Sequence, residues 1–365
     1  MALHKSDLPA EIRAAIMRGV VIPAHPLALT ADRQMDLRRQ RALTRYYIDA
    51  GAGGLAVGVY TTQFANRAAG LYEPVLARTI ETVNDWADRP IVMVAGLAGL
   101  TEVAVAEAQL AASLGYHVGL LNVGALKGQC EDAILSHCER VSQEIPLFGF
   151  YLLPEVGGVQ LSSDFWRRFA GLDNVVGIKI APFNRYGTVD VMRGVVEARA
   201  EDRVALYTGN DNHIVLDLMT PFEFERDGEK VKVHMTGGLL GHWCFWTRAA
   251  VETLDRIHAV IASGQTDLGL LALDAKTTDA NGAIYDGAND LAGCIPGCHE
   301  VLRRQGLLDG IWCLLEDEVL SPGQAEEIDR VLAAYPELND DAFVAANLDR
   351  WLSDEGAAVP LQAAE

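Results

Sequence analysis

The chain has 365 residues, half of them apolar and 7% aromatic, which is enough to bury a large core and unlike a disordered segment. Its formal net charge of −20 excludes an extended nucleic-acid or anionic-membrane surface, since both need clustered Lys and Arg. A local basic pocket for a small acid is compatible with that balance.

The opening MALHKSDLPAEIRAAIMRG has no long apolar core behind a basic segment, so no secretion signal is expected. No run reaches the length of a membrane span, and a cytoplasmic protein with no nucleic-acid or membrane partner is expected. The six cysteines (Cys130, Cys138, Cys244, Cys294, Cys298 and Cys313) form no C-x-x-C pair and read as reduced thiols. Cys294, Cys298 and His299 are close in sequence, but no second ligand cluster accompanies them, so no metal is expected.

Along the chain, residues 1–18 read as a helix placed ahead of the first strand. Eight β-rich runs then follow: GVVIPA (Gly19 to Ala24), GLAVGVY (Gly54 to Tyr60), PIVMVAG (Pro90 to Gly96), HVGLLNV (His117 to Val123), IPLFGFY (Ile145 to Tyr151), NVVGIKIA (Asn174 to Ala181), RVALYTG (Arg203 to Gly209) and KVHMTGG (Lys232 to Gly238). Helix-like segments lie between most of them, such as TEVAVAEAQLAASLG, where Thr101 is expected to cap and Gly115 to stop the helix. The strands recur roughly every 25–37 residues, which fits a (β/α)8 barrel over 19–264 better than an open doubly wound sheet. TPFEFERDGEKVKV, with its Asp227-Gly228 pair, predicts an inserted β-ribbon near 221–233. From 265 to 365 the strand signals stop and a helical region follows, with a frayed final stretch DEGAAVPLQAAE.

Of the six lysines, only Lys179 sits inside an apolar strand-like run. Val175, Gly177 and Lys179 share one face, while the other (Val176, Ile178, Ile180) is uniformly bulky, as the helix-packed side of a barrel strand should be. Lys179 is therefore expected to point into the lumen near the C-terminal end of strand six, where such barrels carry their active sites. Partial desolvation there lowers an amine's pKa and makes the neutral nucleophile accessible. The plainer alternative is a lysine that snorkels to the rim or pairs with a carboxylate. On strand five, Tyr151 shares a face with Leu147 and Gly149 and is expected to meet the same lumen as a proton shuttle; the alternative is a core tyrosine with a satisfied hydroxyl. After strand two, Thr61 and Thr62 offer two hydroxyls and loop N–H groups for a carboxylate.

At these residues the sequence resembles the dihydrodipicolinate synthase/N-acetylneuraminate lyase family of class I aldolases. DAGAGGLAVGVYTTQF is similar to that family's helix–strand–GTTGE segment, VAGLAGLTEVAVAEAQLAASLG to its AGxG loop and third helix, and the block from Pro146 to Ala181 to its YNxP…GIK pattern. LYTGND and IPGCHEVLRRQGLL also have counterparts, so the resemblance spans roughly Gly19 to Leu338. It implies a (β/α)8 barrel with a C-terminal helical region, assembled as a homo-oligomer (dimer or tetramer). It also implies Lys179 as Schiff-base lysine, Tyr151 as proton relay, and Thr61 and Thr62 as the carboxylate and relay pair, with no cofactor. Tyr60 replaces the family's glycine before the Thr pair, and Gln63-Phe64 replaces Gly-Glu. The synthases' arginine after the YNVP turn falls at about Val156, and their paired tyrosines after strand four fall near Ala125 and Leu126. Those departures argue against lysine biosynthesis.

The expected function is a lyase or aldolase on a 2-oxo acid such as pyruvate, making or breaking a C–C bond with an aldehyde, or dehydrating a sugar acid, through a Lys179 iminium. The alternative is a barrel that binds a small acid without turning it over. A metal-dependent barrel using His213 and His242 is a third, weaker reading. Further substrate-binding candidates at the rim are Tyr60, His25, Asn210, Asp211 and His242.

Overall fold

A computed structural model of the protein describes residues 2–354. Ten strands are present: β1 (Val21–Pro23), β2 (Gly54–Val57), β3 (Val92–Leu97), β4 (Val118–Leu121), β5 (Leu147–Leu152), β6 (Val175–Ala181), β7 (Ala205–Thr208), β8 (Phe222–Arg226), β9 (Glu229–Val233) and β10 (Gly237–Leu240). Eight of them form one sheet in the order β1-β10-β7-β6-β5-β4-β3-β2, and a parallel bridge between Ala24 and Ala56 joins its two ends. The sheet is thus the closed parallel cylinder of a (β/α)8 barrel. Every residue of these eight strands is buried, as expected when side chains fill the lumen on one face and helices cover the other.

The helices are α1 (Ala10–Arg18), α2 (Leu37–Asp49), α3 (Tyr72–Trp86), α4 (Thr101–Leu114), α5 (Glu131–Ser142), α6 (Ser163–Gly171), α7 (Arg185–Glu197), α8 (Ile214–Met219) and α9 (Thr247–Ser263), followed by α10 (Leu268–Ile284), α11 (Cys294–Arg304), α12 (Gln324–Ala334) and α13 (Asp341–Leu352). Among the described residues none is long and apolar enough to cross a membrane. The expectation for the final stretch falls, from residue 355 on, outside the described residues.

By packing, the described chain divides into two compact units. One holds the residues up to Val20 together with Val92–Leu239; the other holds Val21–Ile91 and the residues from Leu240 on. In the first unit, α4 ends where Gly115 takes φ +97, a left-handed stop that glycine adopts without a Cβ penalty. Thr101 does not cap: Leu100 is the N-cap residue, and the Thr101 hydroxyl lies 3.0 Å from His137 Nδ1. Strands β8 and β9 pair antiparallel from Phe222↔Val233 to Arg226↔Glu229 around the Asp227-Gly228 turn, where both residues have positive φ. Helix α6 is capped by Ser162, whose Oγ accepts from Phe165 N (3.1 Å), and it packs Phe165, Trp166 and Phe169 into one aromatic cluster.

In the second unit, α13 docks on α2 through Tyr46, Phe343 and Trp351. The buried Asp340 carboxylate accepts from Tyr46 Oη (2.7 Å), Arg248 N (2.9 Å) and Gln305 Nε2 (2.9 Å). Burial still lifts its pKa to about 6.

Candidate active site

The register of the ladder decides which side chains share the lumen. Phe150 pairs with Lys179, and Lys179 pairs with Tyr207. Residues paired in a parallel ladder point the same way, so Phe150, Lys179 and Tyr207 share one face. Close approaches identify it. A Cβ on Gly177 would sit 2.5 Å from the Phe148 ring, and one on Gly209 would sit 2.6 Å from Lys179 Cε. On the opposite face, a Cβ on Gly149 would sit 2.6 Å from Phe169, which belongs to α6. The Gly149 face is therefore the helix side, and Phe148, Phe150, Lys179 and Tyr207 line the lumen.

Lys179 is 8% exposed, and its Nζ lies 4.4 Å from the centroid of the Phe150 ring. Among the described residues its amine makes no hydrogen bond or ion pair. Burial lowers its pKa to about 8, opposed by the charge of Asp211. Tyr207, its lumen neighbour, donates its hydroxyl to the Ile16 carbonyl of α1 (2.9 Å), and burial pushes the phenol well up.

Tyr151 does not join Lys179. It pairs with Ile180, and its ring stands 5.2 Å from Trp166 of α6. Its hydroxyl is held by the Leu161 backbone, carbonyl at 3.4 Å and N–H at 3.5 Å. A Cβ on Gly187 of α7 would touch it at 3.1 Å. The expected lumen phenol is thus a helix-side phenol, and Phe150 occupies the place beside the amine. Alternation in β5 tells which residues share a face, but both faces of that run are bulky. The signal that decides it is Gly149, which leaves the space that the α6 aromatics fill. A register shift at Leu147/Phe148 then fixes Phe150 opposite Lys179.

After β7, the Asn210 side chain acts as a brace. Its Oδ1 accepts from Phe183 N (3.0 Å), and its Nδ2 donates to Asp217 Oδ2 (2.8 Å) and Thr188 Oγ1 (3.2 Å). The Asp217 carboxylate also accepts from Thr208 Oγ1 (2.8 Å) and pairs with Arg185. Burial raises the Asp217 pKa despite these partners, so the network holds a costly carboxylate in place. Nothing in the sequence pattern singled out Asp217, Arg185 or Thr188. Asp211 is 8% exposed and is the charge that acts on Lys179.

The second unit carries the other candidates. Thr61 Oγ1 donates to the Ala24 carbonyl (2.7 Å). Thr62 Oγ1 donates to the His25 carbonyl (2.6 Å) and accepts from Gly58 N (3.0 Å) and Val59 N (3.2 Å). Both hydroxyl protons are therefore spent on tying the turn after β2 to the end of β1. Tyr60 is half-buried, with its ring 6.0 Å from Phe64, and burial raises its phenol.

His25 is fully buried and saturated, against the expectation that it binds substrate. His25 Nδ1 lies 2.9 Å from the Pro26 carbonyl and 3.1 Å from Gln40 Nε2, and its Nε2 lies 2.9 Å from Thr44 Oγ1. Desolvation lowers the ring's pKa to about 4, so it stays neutral. His242 is also buried and lowered to about 4; its Nδ1 lies 2.7 Å from Asn281 Oδ1, and Phe245 and Trp246 stand edge-on to it. His213 precedes α8 as its N-cap residue. Among the described residues no group of three or more His, Cys, Asp or Glu side chains converges to hold a metal ion.

Gln63 is a residue that pattern reading treated only as a departure. It has φ +63, the left-handed region that favours glycine, which accounts for a glycine at this place in the GTTGE pattern. Here its Oε1 accepts from Leu314 N (2.6 Å), so the segment between α11 and α12 anchors the turn.

Comparison with curated protein sequences finds no match. Among solved structures, the fold is similar to CdNal from Clostridium difficile, solved with mannosamine (TM-score 0.70, 14% identity, 87% of this chain and 99% of that one). It is similar to the chloride-inhibited dihydrodipicolinate synthase of Acinetobacter baumannii complexed with pyruvate (TM-score 0.69, 19% identity, 87% and 98%). It is also similar to YagE, an Escherichia coli K12 prophage protein of the dihydrodipicolinic acid synthase family complexed with pyruvate (TM-score 0.70, 18% identity, 89% and 99%). A sequence model of the dihydrodipicolinate synthetase family matches residues 17–220, more than half of the chain. The chain belongs to the dihydrodipicolinate synthetase family.

Proposed function

We propose that this protein is a class I, Schiff-base-forming lyase acting on a 2-oxo acid such as pyruvate. The observation that carries the reading is Lys179: an amine in the barrel lumen, 8% exposed, unpaired among the described residues, with its pKa lowered to about 8 by burial. Family membership supports the same chemistry, and the pyruvate bound to two of the structural relatives supports the substrate class. The neutral amine attacks the ketone carbon, and loss of water leaves an iminium that withdraws electrons from the adjacent carbon. The bond from that carbon to an aldehyde-derived carbon then breaks or forms. The resemblance assigns Thr61 and Thr62 to a substrate carboxylate; in their own unit they shape the turn after β2, with their hydroxyl protons given to the Ala24 and His25 carbonyls.

Incubation with pyruvate and borohydride tests the reading. A covalent adduct is expected in the wild type and none in Lys179→Ala. An adduct of equal yield in Lys179→Ala would overturn it. A second reading, a small-acid-binding barrel without turnover, is favoured by Phe150 standing where a relay phenol is expected. It predicts reversible binding of 2-oxo acids with no trapped adduct. Self-association as a dimer or tetramer belongs to the same proposal and is read by light scattering.

A further inference from the structure

We propose that the face of the Phe150 ring stabilises the positive nitrogen that the Lys179 reaction creates, so that Phe150 is a catalytic residue and not a filler of the lumen. This role rests on the Schiff-base reading above. Strand β6 lies between β5 and β7, and Lys179 pairs with Phe150 on one side and with Tyr207 on the other. On the β7 side the chain at Gly209 packs against the lysine stem: a Cβ there would stand 2.6 Å from Cε and 3.0 Å from Cγ. On the β5 side Nζ stands 4.4 Å from the centroid of the Phe150 ring, which is itself 5% exposed. A cation over an aromatic face at that distance is attracted by the ring's quadrupole, and more strongly where water is excluded.

The other groups around the lysine are accounted for. On β7, the Tyr207 hydroxyl donates to Ile16; on β5, Tyr151 lies against Trp166. The Asp217 carboxylate is held by Thr208, Asn210 and Arg185. Asp211 acts on Lys179 through its negative charge, which favours every cationic form of the nitrogen alike. Phe150 is the aromatic face set against the nitrogen, and a phenyl ring can neither give nor take a proton there. What it offers is its π electrons.

In the step concerned, a bond forms between Nζ and the ketone carbon, the carbon–oxygen bond breaks, and the oxygen leaves as water. Starting from the ammonium, two of its three protons go to that oxygen, and the iminium carries the same single positive charge. The ring then favours both ends of the step equally. Starting from the neutral amine, the step takes up one proton, and a buried positive charge appears where there was none. Desolvation opposes that charge, and only the product gains from the ring. The contribution of Phe150 to iminium formation is therefore absent well below the lysine's pKa of about 8 and complete well above it.

The test is the pyruvate concentration that gives half-maximal reductive trapping, with cyanoborohydride at about pH 5.5 and borohydride at about pH 9.5, on either side of the lysine's titration. It is measured in wild type, in Phe150→Leu, and with trifluorinated phenylalanine placed at position 150 alone, which keeps the shape of the ring and removes most of its quadrupole. In both variants that concentration should rise about three- to thirtyfold at the higher pH and change by less than about twofold at the lower. If Phe150→Leu fails to fold, the fluorinated chain decides alone. Wild-type behaviour of the fluorinated chain at the higher pH would overturn the proposal and leave the Schiff-base reading standing. An equal loss at both pH values would also overturn it, because that marks lost packing and not lost charge stabilisation. If the wild type traps no adduct, the Schiff-base reading falls and takes this role with it.

Discussion

The pH dependence of adduct formation tests the physical state of Lys179. With a pKa near 8, about one molecule in ten carries the neutral amine at pH 7; at the ordinary lysine value about one in three thousand would. Burial therefore raises the nucleophile population roughly 300-fold at neutral pH. At subsaturating pyruvate, the initial rate of adduct formation, quenched with borohydride and read by mass, should rise about tenfold from pH 6 to pH 7 and level off above about 8. A rate that keeps rising tenfold per unit to pH 10 would refute the claim that the amine is desolvated. The same shift has a stability consequence. The unfolded chain binds the lysine proton up to about 10.5 and the folded chain only to about 8, so the cost is absent above the upper value. It grows as pH falls between the two and is fully present below about 8, where it amounts to about 3 kcal/mol. Lys179→Met should consequently raise the unfolding free energy at pH 7 by roughly 2–3 kcal/mol in urea titrations while abolishing the adduct.

Gly209→Ala puts a methyl 2.6 Å from Lys179 Cε and 2.8 Å from Ala181 Cβ, and adduct formation should drop at least about tenfold with the fold intact by circular dichroism. Gly149→Ala drives a methyl into Phe169 and Trp166 and should cost roughly 1–3 kcal/mol by denaturant unfolding, whereas a lumen-facing Gly149 would tolerate it. Tyr151→Phe removes only two long hydrogen bonds to Leu161, so hydrogen–deuterium exchange at the pyruvate methyl, read by NMR, should stay within about threefold of wild type; a loss of about a hundredfold would restore Tyr151 as the relay. Asn210→Ala leaves the buried Asp217 carboxylate short of a donor and should cost roughly 2–4 kcal/mol.

The barrel was legible because its strands recur at comparable intervals and most are apolar on both faces. The ribbon announced itself through Asp227-Gly228, and the C-terminal helices through the end of the strand pattern. Lys179 stood out because a cation in an apolar strand is costly, and its Ile178 and Ile180 neighbours mark the helix side. Tyr151 misled because alternation is blind to which face is inward: Phe148 and Phe150 are as bulky as their neighbours, and only the gap at Gly149, filled by Phe169 and Trp166, orients the strand. His25 and Asn210 sit at the strand ends where ligands bind, yet Thr44, Gln40, Asp217 and Thr188 occupy their polar atoms. Those partners lie 7 to 22 residues away in sequence, with no spacing that a linear pattern would expose.

Peptide mapping of the borohydride-reduced pyruvate complex tests the central claim most directly. The account predicts one modified lysine among the six, Lys179, in the peptide that contains GIKIAP. Modification of another lysine, with Lys179 recovered unmodified, would contradict it.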